Sequence, residues 1–199
     1  MQSELITRAG GEVLPFEEKE TNEVIKGVND QLEKLVWNAS TGNGDLFNGF
    51  LTIADAEADT IDVSKGATDY ETAKEVYKNI PINIIDKAEM FCGKDMFLSI
   101  VDEITAKNLY HYAPVVDEAF TLTLPGTVTK LHGVAGLNRT GRIYAADPEN
   151  MIYGFDVEDD KDTFKIWYSD DNQKFRGAIK FNAGVQVAFP DEIVVSEAE

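Results

Sequence analysis

The strand-forming text of this chain starts at Phe120-Thr-Leu-Thr-Leu-Pro-Gly126. It continues through Gly141-Arg-Ile-Tyr-Ala-Ala146, Met151-Ile-Tyr-Gly-Phe155 and Thr163-Phe-Lys-Ile-Trp-Tyr168, then Phe175-Arg-Gly-Ala-Ile-Lys-Phe181 and Val185-Gln-Val-Ala-Phe189. Phe120, Leu122 and Leu124 alternate with threonines, the period of a strand with one buried face. Pro125-Gly126 is a turn signal, and Val128 and Leu131 suggest the returning strand. Ser169-Asp-Asp-Asn-Gln-Lys174 supplies another turn, and Asn182-Ala-Gly184 separates the last two strands. This half of the chain therefore reads as dominantly β.

The preceding half has a different period. Val24, Ile25, Val28, Leu32, Leu35 and Val36 recur at helical spacing from Glu17 to about Trp37. Glu17, Glu18 and Glu20 crowd the start, where the helix dipole favours negative charge. Gly27 weakens the helix by up to about 1 kcal/mol relative to alanine. Ser40-Thr-Gly-Asn-Gly-Asp45 ends it, and Phe47, Phe50, Leu51 and Ile53 then pack inward. Thr60 to Val63 reads as a short strand. Thr68 and Glu71 have capping-box spacing in front of Ala73, Val76, Tyr77 and Ile80, a second helix stopped by Pro81. Ile82 to Ile85 and Ala88 to Cys92 are apolar enough for strands. Gly93 breaks the run before a third helix carrying Met96, Phe97, Ile100, Val101 and Ile104 and ending near Lys107. Residues 1–16 show no sustained period and read as an extended arm. Helices mixed with short strands, followed by a β half, give an α+β class.

The bulk properties narrow the function. The chain has 199 residues, 43% of them hydrophobic, enough for a packed core. Thirty-six acidic residues oppose 18 basic ones, for a formal charge of -18. Such a surface repels phosphate and anionic lipid, so neither nucleic-acid nor membrane binding is expected. No apolar run is long enough to span a bilayer, and no secretory signal is visible, so the expectation is a cytoplasmic chain. Cys92 is the single cysteine, which excludes an internal disulfide and a cysteine-based structural zinc site.

No catalytic constellation emerges. Gly42-Asn-Gly44 follows a helix and lacks the spacing and Lys-Ser/Thr of a phosphate loop, so it reads as a turn. His111, between Tyr110 and Tyr112, and His132 have no second ligand at metal spacing and read as packing or surface residues. There is no Gly-x-Ser-x-Gly elbow. Cys92 follows Met90-Phe91 and reads as a small buried hydrophobe rather than a nucleophile. Asp156, Glu158, Asp159, Asp160 and Asp162 form the densest acidic run. Oxygen ligands at this density suit Ca²⁺, so a calcium-dependent binding module with an acidic loop at 156–162 is the alternative function. The spacing does not match an EF-hand loop, and a solvated hairpin tip between Phe155 and Phe164 is the preferred reading. Asp170, Asp171 and Asn172 form a second acidic turn of the same kind. The acidic residues always allow a glycosidase-like carboxylate pair to be nominated, but none is singled out. The sequons at Asn38 and Asn138 carry little meaning without a secretory signal.

From about Leu124 onward the chain resembles the carboxy-terminal part of tailed-phage major capsid proteins, the fold named after bacteriophage Hong Kong 97. The matching text is Pro125-Gly-Thr-Val-Thr, His132-Gly-Val-Ala-Gly-Leu137, Arg142-Ile-Tyr-Ala-Ala146 and Glu149-Asn-Met-Ile-Tyr-Gly-Phe-Asp156. It goes on through Phe164-Lys-Ile-Trp-Tyr168, Phe175-Arg-Gly-Ala-Ile-Lys-Phe181 and Gly184-Val-Gln-Val-Ala-Phe-Pro-Asp191. The order of these motifs, not any single one, carries the resemblance. Upstream, the helix entering a glycine-rich turn and Phe47-Asn-Gly-Phe50 looks like the spine helix passing into the axial domain.

The resemblance implies an α+β capsid fold with a mixed sheet flanked by helices. Residues 17–43 and 165–199 would be peripheral-domain-like, and 44–164 axial-domain-like. Only sixteen residues precede the helix, too few for both the arm and the long two-stranded loop of family members, so a chain lacking both is expected. The implied function is a major capsid subunit of a tailed phage or prophage, or a close relative such as an encapsulin-type shell. Its partners would be copies of itself and other head proteins. It would reside in the virion, and in the host cytoplasm during assembly. No catalytic, cofactor-binding or metal residue is implied, and no cofactor.

Overall fold

The computed structural model describes residues 5–7, 13–107, 120–156, 164–169, 174–179 and 182–197. The chain divides into two compact units. The first comprises residues 1–33 and 156–182. The second comprises 34–155 and 183–199.

In the first unit, β1 (Leu5–Thr7) and β2 (Val13–Pro15) pair antiparallel within the stretch read as an arm. β2 leads directly into α1 (Phe16–Asn38), the long helix expected from the periodicity. β9 (Phe164–Ser169) and β10 (Lys174–Ile179) form an antiparallel ladder with Ser169 opposite Lys174; the turn expected at 170–173 lies outside the described residues.

The second unit is built on a six-stranded mixed sheet in the order β3-β12-β7-β4-β6-β5. Its members are β3 (Ile61–Val63), β4 (Glu89–Gly93), β5 (Thr121–Thr123), β6 (Lys130–Val134), β7 (Ile143–Ala146) and β12 (Val194–Ser196). β12 runs parallel to β3, and β4 parallel to β6; the other pairs are antiparallel. β8 (Met151–Asp156) and β11 (Asn182–Val187) make a separate two-stranded sheet. Three further helices are α2 (Phe50–Ala56), α3 (Asp69–Asn79) and α4 (Lys94–Ala106).

Both faces of the sheet are covered, which explains why β7 reads Ile-Tyr-Ala-Ala without a polar residue. Strand alternation sorts its residues. Ile143 and Ala145 point to the α3–α4 side with Met90, Cys92, Leu131 and Val194. Tyr144 and Ala146 point the other way, with Val195, Ile193, Trp37 and Phe50. α3 starts where expected: the Thr68 hydroxyl accepts a hydrogen bond from the Glu71 N–H at 3.3 Å. It ends at Asn79, two residues before Pro81.

Several expectations need correction. Ile82 to Ile85 is not a strand but part of a series of turns at 82–87, closed by Ile84 N–H to Pro81 O at 3.1 Å and Ala88 N–H to Ile84 O at 2.8 Å. Only Ile84 of the first three reaches the core; Ile82 is 89% exposed. The strand after the Pro125-Gly126 turn starts at Lys130, leaving Val128 at the exposed hairpin tip. Gly126 has φ +81°, which fits the third position of a type II turn. Asn182-Ala-Gly184 belongs to β11 rather than separating two strands. Among the described residues β8 pairs with β11 and β9 with β10, while the acidic run between them, read as a hairpin tip, lies outside the described residues.

Candidate functional site

Three polar arrangements in the second unit bind its segments together. The best satisfied centres on Arg142. Its side chain is 8% exposed and forks onto Asp55 of α2, with Nη1 to Oδ2 at 2.8 Å and Nη2 to Oδ1 at 2.6 Å. Nε donates to Ser196 O at 2.8 Å, and the Ser196 hydroxyl accepts from the Ile143 N–H at 2.8 Å. A bidentate guanidinium–carboxylate pair is directional as well as strong. It fixes α2, β7 and the end of β12 in one register.

The second arrangement is His132 on β6. Its ring stacks on Phe91 with centroids 5.4 Å apart, and Nδ1 lies 3.3 Å from the Thr121 hydroxyl. Glu89 Oε2 is 3.1 Å from Nε2, within ion-pair reach but not aligned for a hydrogen bond. The cross-strand register places these neighbours: Phe91 and Thr121 each sit opposite His132. Glu103 on α4 is the third. Its Oε1 accepts from the Tyr70 N–H in the first turn of α3 at 3.3 Å. Burial raises its pKa, but hydrogen bonds from Thr68 and Tyr70 and the nearby Lys107 ammonium outweigh that and hold the carboxyl below its usual range.

Each of these arrangements ties elements of the second unit to one another. Cys92 is fully buried, and burial, reinforced by the Asp95 and Asp69 carboxylates, pushes its thiol far up, so it stays protonated. The hydroxyl beside His132 is that of Thr121, which sits in the edge strand β5. Gly42-Asn-Gly44 forms the expected turn, with Gly44 at φ +90°. His111, the acidic residues 158–162 and Asp170 to Asn172 lie outside the described residues; Asp156 ends β8. Among the described residues no three His, Cys, Asp or Glu side chains cluster to hold a metal. No helix among them is long and apolar enough to cross a membrane.

The described surface also carries exposed apolar residues. Leu46, Ile82, Val128 and Phe189 stand in loops at 87%, 89%, 68% and 59% exposure. Their loops are internally fastened. Asn48 Oδ1 accepts from the Thr41 N–H at 2.8 Å, and the buried Asn150 grips Phe189 through both main-chain groups at 2.7 Å. Asn83 donates to Glu192 at 2.8 Å, tying the Ile82 turn to the loop after Phe189. Sequence reasoning did not find Arg142–Asp55 or Asn150, since their partners lie far away along the chain.

No family model and no curated protein matches the sequence. Solved structures do match. One is the capsid of a native GTA particle, with TM-score 0.55 and 10% identity, covering 98% of this chain and 75% of that one. Another is a virus-like particle from Pyrococcus furiosus, with TM-score 0.51 and 7% identity, covering 98% and 84%. This is the capsid fold of the tailed phages. At such low identity the capsid fold is held in common while nearly every side chain differs, so what is shared is the order of elements. In this capsid-fold chain the mixed sheet with its flanking helices agrees with the α+β class expected from the sequence.

Proposed function

We propose that the chain is a structural subunit that assembles with copies of itself into a closed shell, the head of a tailed phage or prophage. The observation that carries this reading is the likeness to two particle-forming proteins over 98% of the chain. The side chains support it in kind: buried polar groups serve to lock segments together, and surface loops present apolar residues, as expected of a protein that acts by packing rather than catalysis. In this reading the second unit is axial-domain-like. The first unit, with the paired β1 and β2 and the bulk of α1, is peripheral-domain-like, α1 being the spine helix. Partners are other copies and other head proteins, and the site of action is the virion after assembly in the host cytoplasm. A net charge of -18 keeps a lumenal wall from gripping a packaged genome.

Size-exclusion chromatography with light scattering, followed by negative-stain microscopy, tests the proposal across a range of protein concentrations. Rings or shells are expected. A monomer at every concentration overturns it.

A further inference from the structure

Two arginines three positions apart behave in opposite ways. Arg142 is buried and fully engaged. Arg139 is exposed, and its guanidinium has no partner among the described residues. Yet Arg139 is held in the left-handed region, at φ +64°, which non-glycine residues rarely occupy.

The backbone there is firmly seated. The Arg139 N–H donates to Asp95 Oδ2 at 2.8 Å, and Asn138 Oδ1 accepts from the Lys94 N–H at 2.7 Å. Leu137, fully buried, anchors the turn from below. The turn also lies directly on Gly93, where an added Cβ would come within 2.6 Å of Leu137 O. These contacts use the main chain of residue 139 and leave its side chain out. They would hold a glycine in the same place with less strain. An unstrained loop was therefore available, and the chain instead presents a guanidinium at this point.

We infer that Arg139 is an anchor for carboxylates on a second copy of this chain, an inference that rests on the shell reading above. The chain itself supplies the complementary chemistry. It bears 36 acidic residues against 18 basic ones, so copies repel unless cations are placed where surfaces meet. The same imbalance disfavours a nucleic-acid phosphate as the occupant. Arginine suits the role because its planar fork pairs bidentately with a carboxylate, and arginines are enriched among interface hot spots.

The test compares the wild type with Arg139→Gly, Arg139→Asn and Arg139→Glu by light scattering and thermal melting. Glycine and asparagine both tolerate the left-handed region, so melting temperatures equal to or above wild type are expected. The concentration at which assembly begins should rise about tenfold or more for the Gly and Asn variants, and further for Glu. Assembly of the Gly and Asn variants at the wild-type concentration overturns the inference while leaving the shell reading intact. A wild type that never assembles overturns both.

Discussion

The two faces of the six-stranded sheet are built from different parts of the chain and from different chemistry. The α3–α4 face is mostly aliphatic, with Tyr70 and Phe97 as its buried rings, and its cover comes from two regular helices, with Val76, Ile100 and Ile104 in one cluster with Met90, Leu131 and Ile143. The opposite face is aromatic and its cover is assembled piecemeal. Trp37 from the end of α1 stands 5.6 Å from Phe50 of α2, 5.2 Å from Phe91 and 5.7 Å from Tyr144. Val187 and Ile193 complete it from the far end of the chain. An amphipathic helix brings its apolar stripe as one piece, whereas a patchwork needs large, rigid side chains to fill the gaps between elements that meet at irregular angles.

Substitutions break this contrast in different ways. The largest effect is expected on the aliphatic face. Leu131→Ala leaves a cavity in a closely packed layer and should lower stability by about 2–5 kcal/mol, read from the midpoint of urea unfolding. Next comes the cap that sets the helical cover. Thr68→Ala removes the acceptor for the Glu71 N–H and a hydrogen bond to Glu103, and about 1 kcal/mol is the expected loss, with Thr68→Ser restoring most of it. The smallest, and opposite in sign, lies on the aromatic face. The Tyr144 hydroxyl is buried with no hydrogen-bond partner among the described residues. Burial pushes the Tyr144 phenol up, so it is neutral at any ordinary pH. Tyr144→Phe removes an unpaired polar group while keeping the ring, so stability should hold or rise by up to about 1 kcal/mol in the same urea titration. A clear loss would mean that this hydroxyl has a partner after all.

The same contrast explains what was legible in the sequence. α1, α3 and α4 follow a period of 3.6 with local start and stop signals at Thr68, Pro81 and Gly93, all readable within a few residues. The strands around Leu122, Tyr144 and Trp167 were readable from alternation and composition, and the order of those segments was enough to suggest the capsid fold. Long-range pairing was not readable. Val194-Val-Ser196 is a central strand, but three residues carry no period. Asp55 gives no signal in the sequence, because its guanidinium partner is 87 residues away. Ile82 to Ile85 misled for a converse reason: an apolar run beside proline satisfied composition, whereas the turn after Pro81 sends Ile82 outward. For the polar locks the residue types were visible, but not their mates.

The place of β12 has a consequence for how the protein is made. Among the described residues β3, at 61–63, forms its one ladder with residues 194–196, and β12 also lies against β7. On a ribosome adding about 5–20 residues per second, β3 waits on the order of ten seconds for a partner. Through that interval Ile61 to Val63 has no strand to pair with, and the aromatic face lacks Ile193 and Val195. A nascent chain in that condition has not yet completed its second unit. Translation thus acts as a timer, setting the earliest moment at which the sheet can close.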